Sequence, residues 1–310
     1  MDHIAANPVK QRSPLLKPFD YIAGLWRHFK FKRKGRSLAL DIVLAAFLMI
    51  FGFFSVFPLV MIINDAFKPL NELFLFPPRL FVMNPTLDNF RDLTLAMNNA
   101  WVPVSRYVFN TFFITIMGTV GTVVIGSMAA FPMAKYVFPG SRLMNNIIVY
   151  ALMFNGTVTA IPNFIIMSRI GLIDTHLAII LPALGGTLGV FLMRNFMMQI
   201  PDSLVEAAKI DGASEIKTWW TVIMPMAKPA WITLIILSVQ AFWGATGATF
   251  IYTEALKPVG FAMGQIAQVG VARQGVFAAF SLIMLAVPIT VFVISQSNVI
   301  ETMASSGIKG

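Results

Sequence analysis

Residues 201–229, PDSLVEAAKIDGASEIKTWWTVIMPMAKP, form a polar island between two long apolar runs, 177–193 and 230–253. The first half reads as a short helix, because Ala207 and Ala208 are strong helix formers and Gly212 can supply the left-handed geometry that ends a helix. Ser203 and Glu206 stand at the S-x-x-E spacing of a capping box, in which each side chain would satisfy an orphan backbone N–H at the helix start. A second helical piece carries Ile216, Trp219, Trp220 and Ile223 on one face at spacings of three and four. Pro225 and Pro229 then break or kink the chain as it enters the next apolar run. The expected shape is a helix–glycine–helix hook with small residues at its tip.

The apolar runs on either side decide the solvent. The 310 residues are 57% hydrophobic and only 12% charged, and the mean hydropathy is +0.75. That is outside the range of soluble domains. Apolar stretches at about 40–64, 106–132, 143–161, 177–193, 230–252 and 276–296 approach the roughly 20 residues that a membrane helix needs. The expected fold class is therefore an all-α, polytopic membrane protein with six transmembrane helices. Pro162 is expected to interrupt the third span, with a short interfacial helix and turn over 162–176. Residues 65–104 carry charges of both signs and read as an aqueous segment containing one short helix, LDNFRDLTLAMNNA. Residues 253–275, with Gly260, Gly264, Gly270 and Gly275, read as a flexible loop.

Charge sets orientation and excludes some partners. The net charge of +9 is concentrated in residues 1–39, which hold nine Lys and Arg. In a membrane protein that is a topology signal before it is a nucleic-acid signal, and no nucleic-acid partner is expected. Within the segment, Phe19, Ile22, Trp26 and Phe29 share a helical face. This fits a helix lying on the membrane surface and equally a solvated basic tail that fixes topology. With the N-terminus inside, the tail, 133–143, the hook and the C-terminal end carry the larger share of Lys and Arg. Both termini and the hook are thus expected on the cytoplasmic side of the membrane.

The spans exclude several chemistries. After Asp41 none of the six stretches holds an ionisable residue in its interior, which argues against a proton- or sodium-coupled secondary carrier. There is no cysteine, and His3, His28 and His176 lie far apart, so neither a disulfide framework nor a metal site is expected. No G-x-x-x-x-G-K-[ST] is present to cradle nucleotide phosphates, and no metalloprotease motif appears. The expected chain is not an enzyme and binds no cofactor of its own. Energy would have to arrive from another chain, at the hook.

The spaced pattern Glu206-Ala207-Ala208, Gly212, Val222-Ile223-Met224-Pro225 resembles the EAA loop of the permease subunits of bacterial ATP-driven (ABC) importers. The upstream FLMRNFMMQIPDSLVEAAKIDGAS resembles the maltose-type carbohydrate-uptake group. Where that pattern has Ile and Leu, this chain has Val222 and Met224, both apolar. NTFFITIMGTVGTVVIGSMAAFPMAKYVFPGSR and IPNFIIMSRIGLIDTHLAIILP are similar to the same family, so the resemblance covers roughly residues 40–310. It implies a type I ABC importer permease fold, with a basic segment over 1–39, a coupling loop over 200–229 and a short tail over 297–310. It also implies a heterodimer with a second permease, two ATPase subunits that carry ATP and magnesium, an extracytoplasmic solute-binding protein, and a sugar or oligosaccharide substrate. A polyol or glycerol phosphate is the alternative substrate.

The resemblance also assigns residues. Glu206 would meet an ATPase subunit, with Ala207, Ala208 and Ile210 packing into its groove, while Asp211, Gly212 and Pro225 shape the hook. Gly307, Lys309 and Gly310 would reach towards the ATPase dimer. In the fifth span the family has Trp followed by Asn, and this chain has Trp243 followed by Gly244. Gln240, Trp243, Thr246 and Thr249, at helical spacing, could line a sugar path, whereas close helix packing through Gly244 and Gly247 explains the same residues without a ligand.

Overall fold

An uninterrupted apolar run makes α1, Leu38–Phe67. The computed structural model describes residues 38–77, 79–98, 102–154, 156–268, 270 and 273–307. The basic segment before residue 38, with its expected surface helix, lies outside them. From Leu40 to Phe57 the large side chains of α1 are exposed on every side. Phe47 and Phe51 stack one helical turn apart, and Ser55 returns its hydroxyl to the Phe51 carbonyl at 2.9 Å. Such an all-apolar surface suits lipid, where each polar group must be satisfied within the helix itself.

From Leu59 onward the chain forms a second unit, built around α4, Val104–Lys135. Glycines let its neighbours approach. A Cβ at Gly118 would meet the Phe242 ring at 2.4 Å, and one at Gly121 would meet Leu184 at 2.5 Å. Here the small residues serve close helix contact. Against α4 pack α7 (Leu177–Leu184), α8 (Thr187–Met197) and α11 (Lys228–Trp243). The last helix, α13 (Gln274–Gly307), packs on α11 and on α3 (Asp88–Asn98). Between them lie α2 (Leu70–Leu73), α5 (Ser141–Ala151), α6 (Gly156–Arg169), α9 (Asp202–Ile210), the bent α10 (Glu215–Met226) and α12 (Val259–Gln268). No strand occurs among the described residues.

Among the described residues four helical stretches are long and apolar enough to span a bilayer: Leu40–Phe67, Val104–Lys135, Leu177–Met197 and Gln274–Gln296. Two bent pairs, α5 with α6 and α10 with α11, pass the same test together, and the total is six if each pair is one span.

The details differ from expectation in four places. The third span is interrupted between Ala151 and Gly156, not at Pro162, which sits inside α6. The fifth span stops at Trp243 instead of 252, because Gly244 caps it and Gly247 turns the chain at φ 65°. The final helix runs on through the expected tail to Gly307.

The fourth difference is the supposedly flexible glycine-rich loop, which is largely ordered. Glu254–Leu256 forms a 3-10 turn and Val259–Gln268 a helix that encloses Gly260 and Gly264. The segment is strapped down by side chains far away in sequence. Asn110 Nδ2 donates to the carbonyls of Ala255 (2.8 Å) and Lys257 (3.0 Å). The Tyr107 hydroxyl donates to Glu254 at 2.6 Å, and Thr111 Oγ1 accepts the Val259 N–H at 2.8 Å. Asp174, held at φ 64°, accepts the backbone N–H groups of Tyr252 (2.9 Å) and Thr253 (2.8 Å). A left-handed aspartate is uncommon, and these bonds hold it there. His176 Nε2 lies 3.1 Å from the Leu256 carbonyl, and burial pulls its pKa below the usual imidazole value. The neutral ring then donates through Nε2.

Candidate functional site

The hook is built as a closed turn. After α9, Gly212 adopts φ 75°. Its N–H donates to the Lys209 carbonyl at 3.0 Å, and the Ala213 N–H donates to the Ala208 carbonyl at 2.9 Å. This pair of bonds is a Schellman motif, with glycine at the one position that requires left-handed backbone. Ser214 then opens α10, its hydroxyl accepting the Lys217 N–H at 3.3 Å.

The capping box expected at Ser203 and Glu206 is absent. Pro201 occupies the cap position of α9, so Ser203 falls inside the helix, and no side chain caps this end. The α9 start is held instead by Lys135, at the last turn of α4. Its side chain is only 1% exposed, and its Nζ donates to Asp202 Oδ1 at 2.7 Å and to the Ile200 carbonyl. Arg194 adds a bond from Nε to the Met133 carbonyl at 3.3 Å.

A second tie joins both arms of the hook to the residue after α4. Tyr136 donates its hydroxyl to Glu215, at the exposed polar end of α10, at 2.5 Å. Lys209 reaches Glu215 at 3.1 Å and lies over the Tyr136 ring at 4.4 Å. The hydrogen bonds from Tyr136 and then Lys209 lower the Glu215 pKa, while Glu215 and Tyr136 raise that of Lys209. The signs set the working range. What Glu215 contributes is present above its ordinary pKa and is lost as pH falls through the lowered value. The Lys209 contribution is present below the ordinary lysine pKa and is lost as pH rises through the raised one. The tie therefore holds across neutral pH. Replacing Tyr136 with Phe is expected to move acid loosening of the hook to higher pH, read as amide exchange of residues 213–218 against pH. An unmoved midpoint would show that Tyr136 does not set it.

Burial sorts the expected contact residues. Glu206, Ala207 and Asp211 are exposed, and Ile210 is 86% exposed at the tip. Ala208 is buried, as is Val205 three residues before it, so both pack inward in this chain. The expected Ile216–Ile223 face also divides. Trp219 and Ile223 are buried against Phe131, Met193 and Met197, whereas Ile216 and Trp220 are exposed. The reason is a π-helical turn over Trp219–Ile223, which shifts the helical register. Pro225 lies in the last turn of α10, just before an 83° bend into α11. Lys135, Tyr136, Lys209, Glu215 and Ser214 were not singled out from sequence. Only Ser214, at an S-E before a helical run, carried a local signal.

The expected path residues do not form one face. Gln240 is exposed on α11, and Thr246 and Thr249 are exposed on the turn beyond its end. Trp243 is buried, and its Nε1 donates to the Met284 carbonyl of α13 at 2.8 Å. The packing account fits it. Trp243→Phe should thus lower stability by more than the ~0.5–1.5 kcal/mol of one hydrogen bond, because part of a buried ring is lost as well, and leave the KM of uptake unchanged. A raised KM at unchanged stability would make it a ligand contact. Of the tail residues, Gly307 ends α13, and Lys309 and Gly310 lie outside the described residues. Among the described residues no cluster of His, Cys, Asp or Glu could hold a metal.

The polar hook, tied to the end of one membrane helix, lies in a stretch shared with known transport proteins. The family described as "binding-protein-dependent transport system inner membrane component" matches residues 122–303, which include the whole hook. The chain belongs to that family. This permease is 25% identical over 247 residues to the polygalacturonan/rhamnogalacturonan transport system permease protein YtcP of Bacillus subtilis, covering 76% of this chain and 80% of the relative. It is 28% identical over 198 residues to the arabinooligosaccharides transport system permease protein AraQ of Halalkalibacterium halodurans, covering 62% and 68%. Its fold matches a crystal structure of a bacterial ABC transporter involved in alginate import, with TM-score 0.74, 22% identity, and 86% and 99% coverage. The permease is thus a multi-pass membrane component of a transport system.

Proposed function

We propose that this permease forms, with a second similar subunit, the translocation path of an ATP-driven importer for a sugar or oligosaccharide. Two ATPase subunits would carry ATP and magnesium, and a solute-binding protein would deliver the substrate. This chain would do no chemistry itself. Relatives named for polygalacturonan/rhamnogalacturonan and arabinooligosaccharide transport support the substrate class. The excess of Lys and Arg on the hook side supports termini and hook in the cytoplasm.

One observation carries the mechanical part: the exposed edge Glu206, Ala207, Ile210 and Asp211 sits on a turn fixed at both arms to the end of α4. A lever transmits a push only if its own joints do not yield. ATP-driven approach of the two ATPase subunits would move this edge, and the ties would pass the motion into α4. The coupling surface is thus Glu206-Ala207 with Ile210 and Asp211, and Ala208 serves the lever from inside.

The chain has no cysteine, so Ile210→Cys gives one thiol for cross-linking. It should join the permease to an ATPase subunit and be reached by impermeant maleimide from the cytoplasmic face alone. Labelling from the opposite face would overturn the reading. Titrating the purified binding protein with oligosaccharides, polyols and sn-glycerol 3-phosphate decides the substrate class. Uptake that continues without the ATPases and collapses with an uncoupler would make the protein a secondary carrier.

A further inference from the structure

The end of the permease opposite the hook carries an apolar elbow that neither the packing nor the transport reading uses. Two buried charged residues shape it. The Glu72 carboxylate accepts the N–H groups of Met83 (3.0 Å) and Asn84 (2.9 Å) and the Asn84 side-chain amide (2.9 Å). Lys68 donates to Asp65 at 2.7 Å and to the Arg79 carbonyl at 2.8 Å. The loop is thereby pinned from within, and its apolar side chains are left outside. Phe74, Leu80, Phe81 and Met83 are each more than half exposed, and Phe76 is 96% exposed. An exposed apolar patch on a well-held loop marks a contact surface.

The backbone fixes its depth. The Val82 N–H donates to Asn64 Oδ1 at 3.1 Å, and the Thr86 N–H donates to the Phe67 carbonyl at 2.9 Å. Asn64 directly follows Ile63, the last residue of the apolar run of α1. The elbow is therefore folded back beside the final turn of α1, where its apolar run ends. An aqueous loop would climb away from that level.

We infer that residues 74–77 and 79–83 are an interfacial anchor for lipid. Phe76 and Phe81 enter the boundary between acyl chains and headgroups in the leaflet opposite the hook, and the exposed Arg79 faces lipid phosphate. Aromatic rings favour this layer, and a nearby cation adds attraction to phosphate. The occupant is the bilayer because the apolar side chains sit at the bilayer's own boundary. A protein partner at the same surface is the competing outcome of the test.

The absence of native cysteine makes the test direct. Phe76→Cys, Phe81→Cys and, as an aqueous control on α3, Asp92→Cys would each be labelled with an environment-sensitive fluorophore. The assembled transporter would be placed in phosphatidylcholine–phosphatidylglycerol vesicles. At positions 76 and 81 we expect blue-shifted emission and several-fold stronger quenching by shallow spin-labelled lipid than at position 92, with or without binding protein. Phe76 is almost fully exposed, so its replacement leaves the packing intact. Iodide quenching of all three sites alike, with none from spin-labelled lipid, would overturn the anchor. So would shielding that appears only on addition of the binding protein, which would assign the elbow to a protein contact.

Discussion

Gly212→Val is expected to leave membrane insertion intact and to uncouple ATP hydrolysis from uptake. The space around Gly212 is open, with nothing within 4 Å of where a Cβ would sit, so crowding is not the cause. The cause is the backbone, which sits at φ 75°. A side chain there costs about 1–2 kcal/mol, and a β-branched one suffers most. That is roughly a five- to thirtyfold loss of the closed turn's population. Both Schellman bonds depend on this geometry, so Ile210 would lose its fixed position relative to α10. Gly212→Asn, which tolerates the left-handed region better, should retain much of the coupling. The measurement is the ratio of ATP hydrolysed to substrate accumulated in proteoliposomes. A valine variant with the wild-type ratio would reduce the hook to a connector.

Lys135→Met is the second large effect. It removes the cation that holds the start of α9 against the end of α4 and leaves the Ile200 carbonyl without its bond. An orphaned buried acceptor costs about 1–3 kcal/mol. Asp202, by contrast, is 73% exposed and can rehydrate. Asp202→Asn keeps an oxygen that can accept from Lys135 Nζ but removes the counter-charge of a cation whose side chain is only 1% exposed, so it should cost less than Lys135→Met but more than a surface ion pair. The expected order is a marked loss of uptake and faster amide exchange over 202–210 for Lys135→Met, and a smaller change for Asp202→Asn. Equal effects would mean that the ion pair, and not the carbonyl bond, holds the joint.

Local chemistry made part of this molecule legible from its residues. Long apolar runs need no partner to declare themselves, so α1, α4 and the start of α13 fall where expected. Gly212 was legible because one backbone conformation calls for that residue. The inward turn of Ala208 was not, since small residues suit both a core and a docking surface, and only the position of Val205 and α10 decides between them. The register of Trp219 and Trp220 was hidden by a π turn that leaves no mark in a 3.6-residue period. The glycines at 260 and 264 suggested mobility, but partners at Tyr107, Asn110 and Asp174, more than 75 residues away, hold that segment. The joint at Lys135 was missed because a lysine ending a span reads first as a topology charge.

The strapping of residues 252–259 has a mechanical consequence. Its attachment points lie on α4 and beside α7, so this stretch cannot swing open as a free flap. Any separation of α4 from α7 must carry it along as cargo of one helix or rupture a set of bonds together. A disulfide engineered between the strap and α4 should consequently be tolerated during turnover.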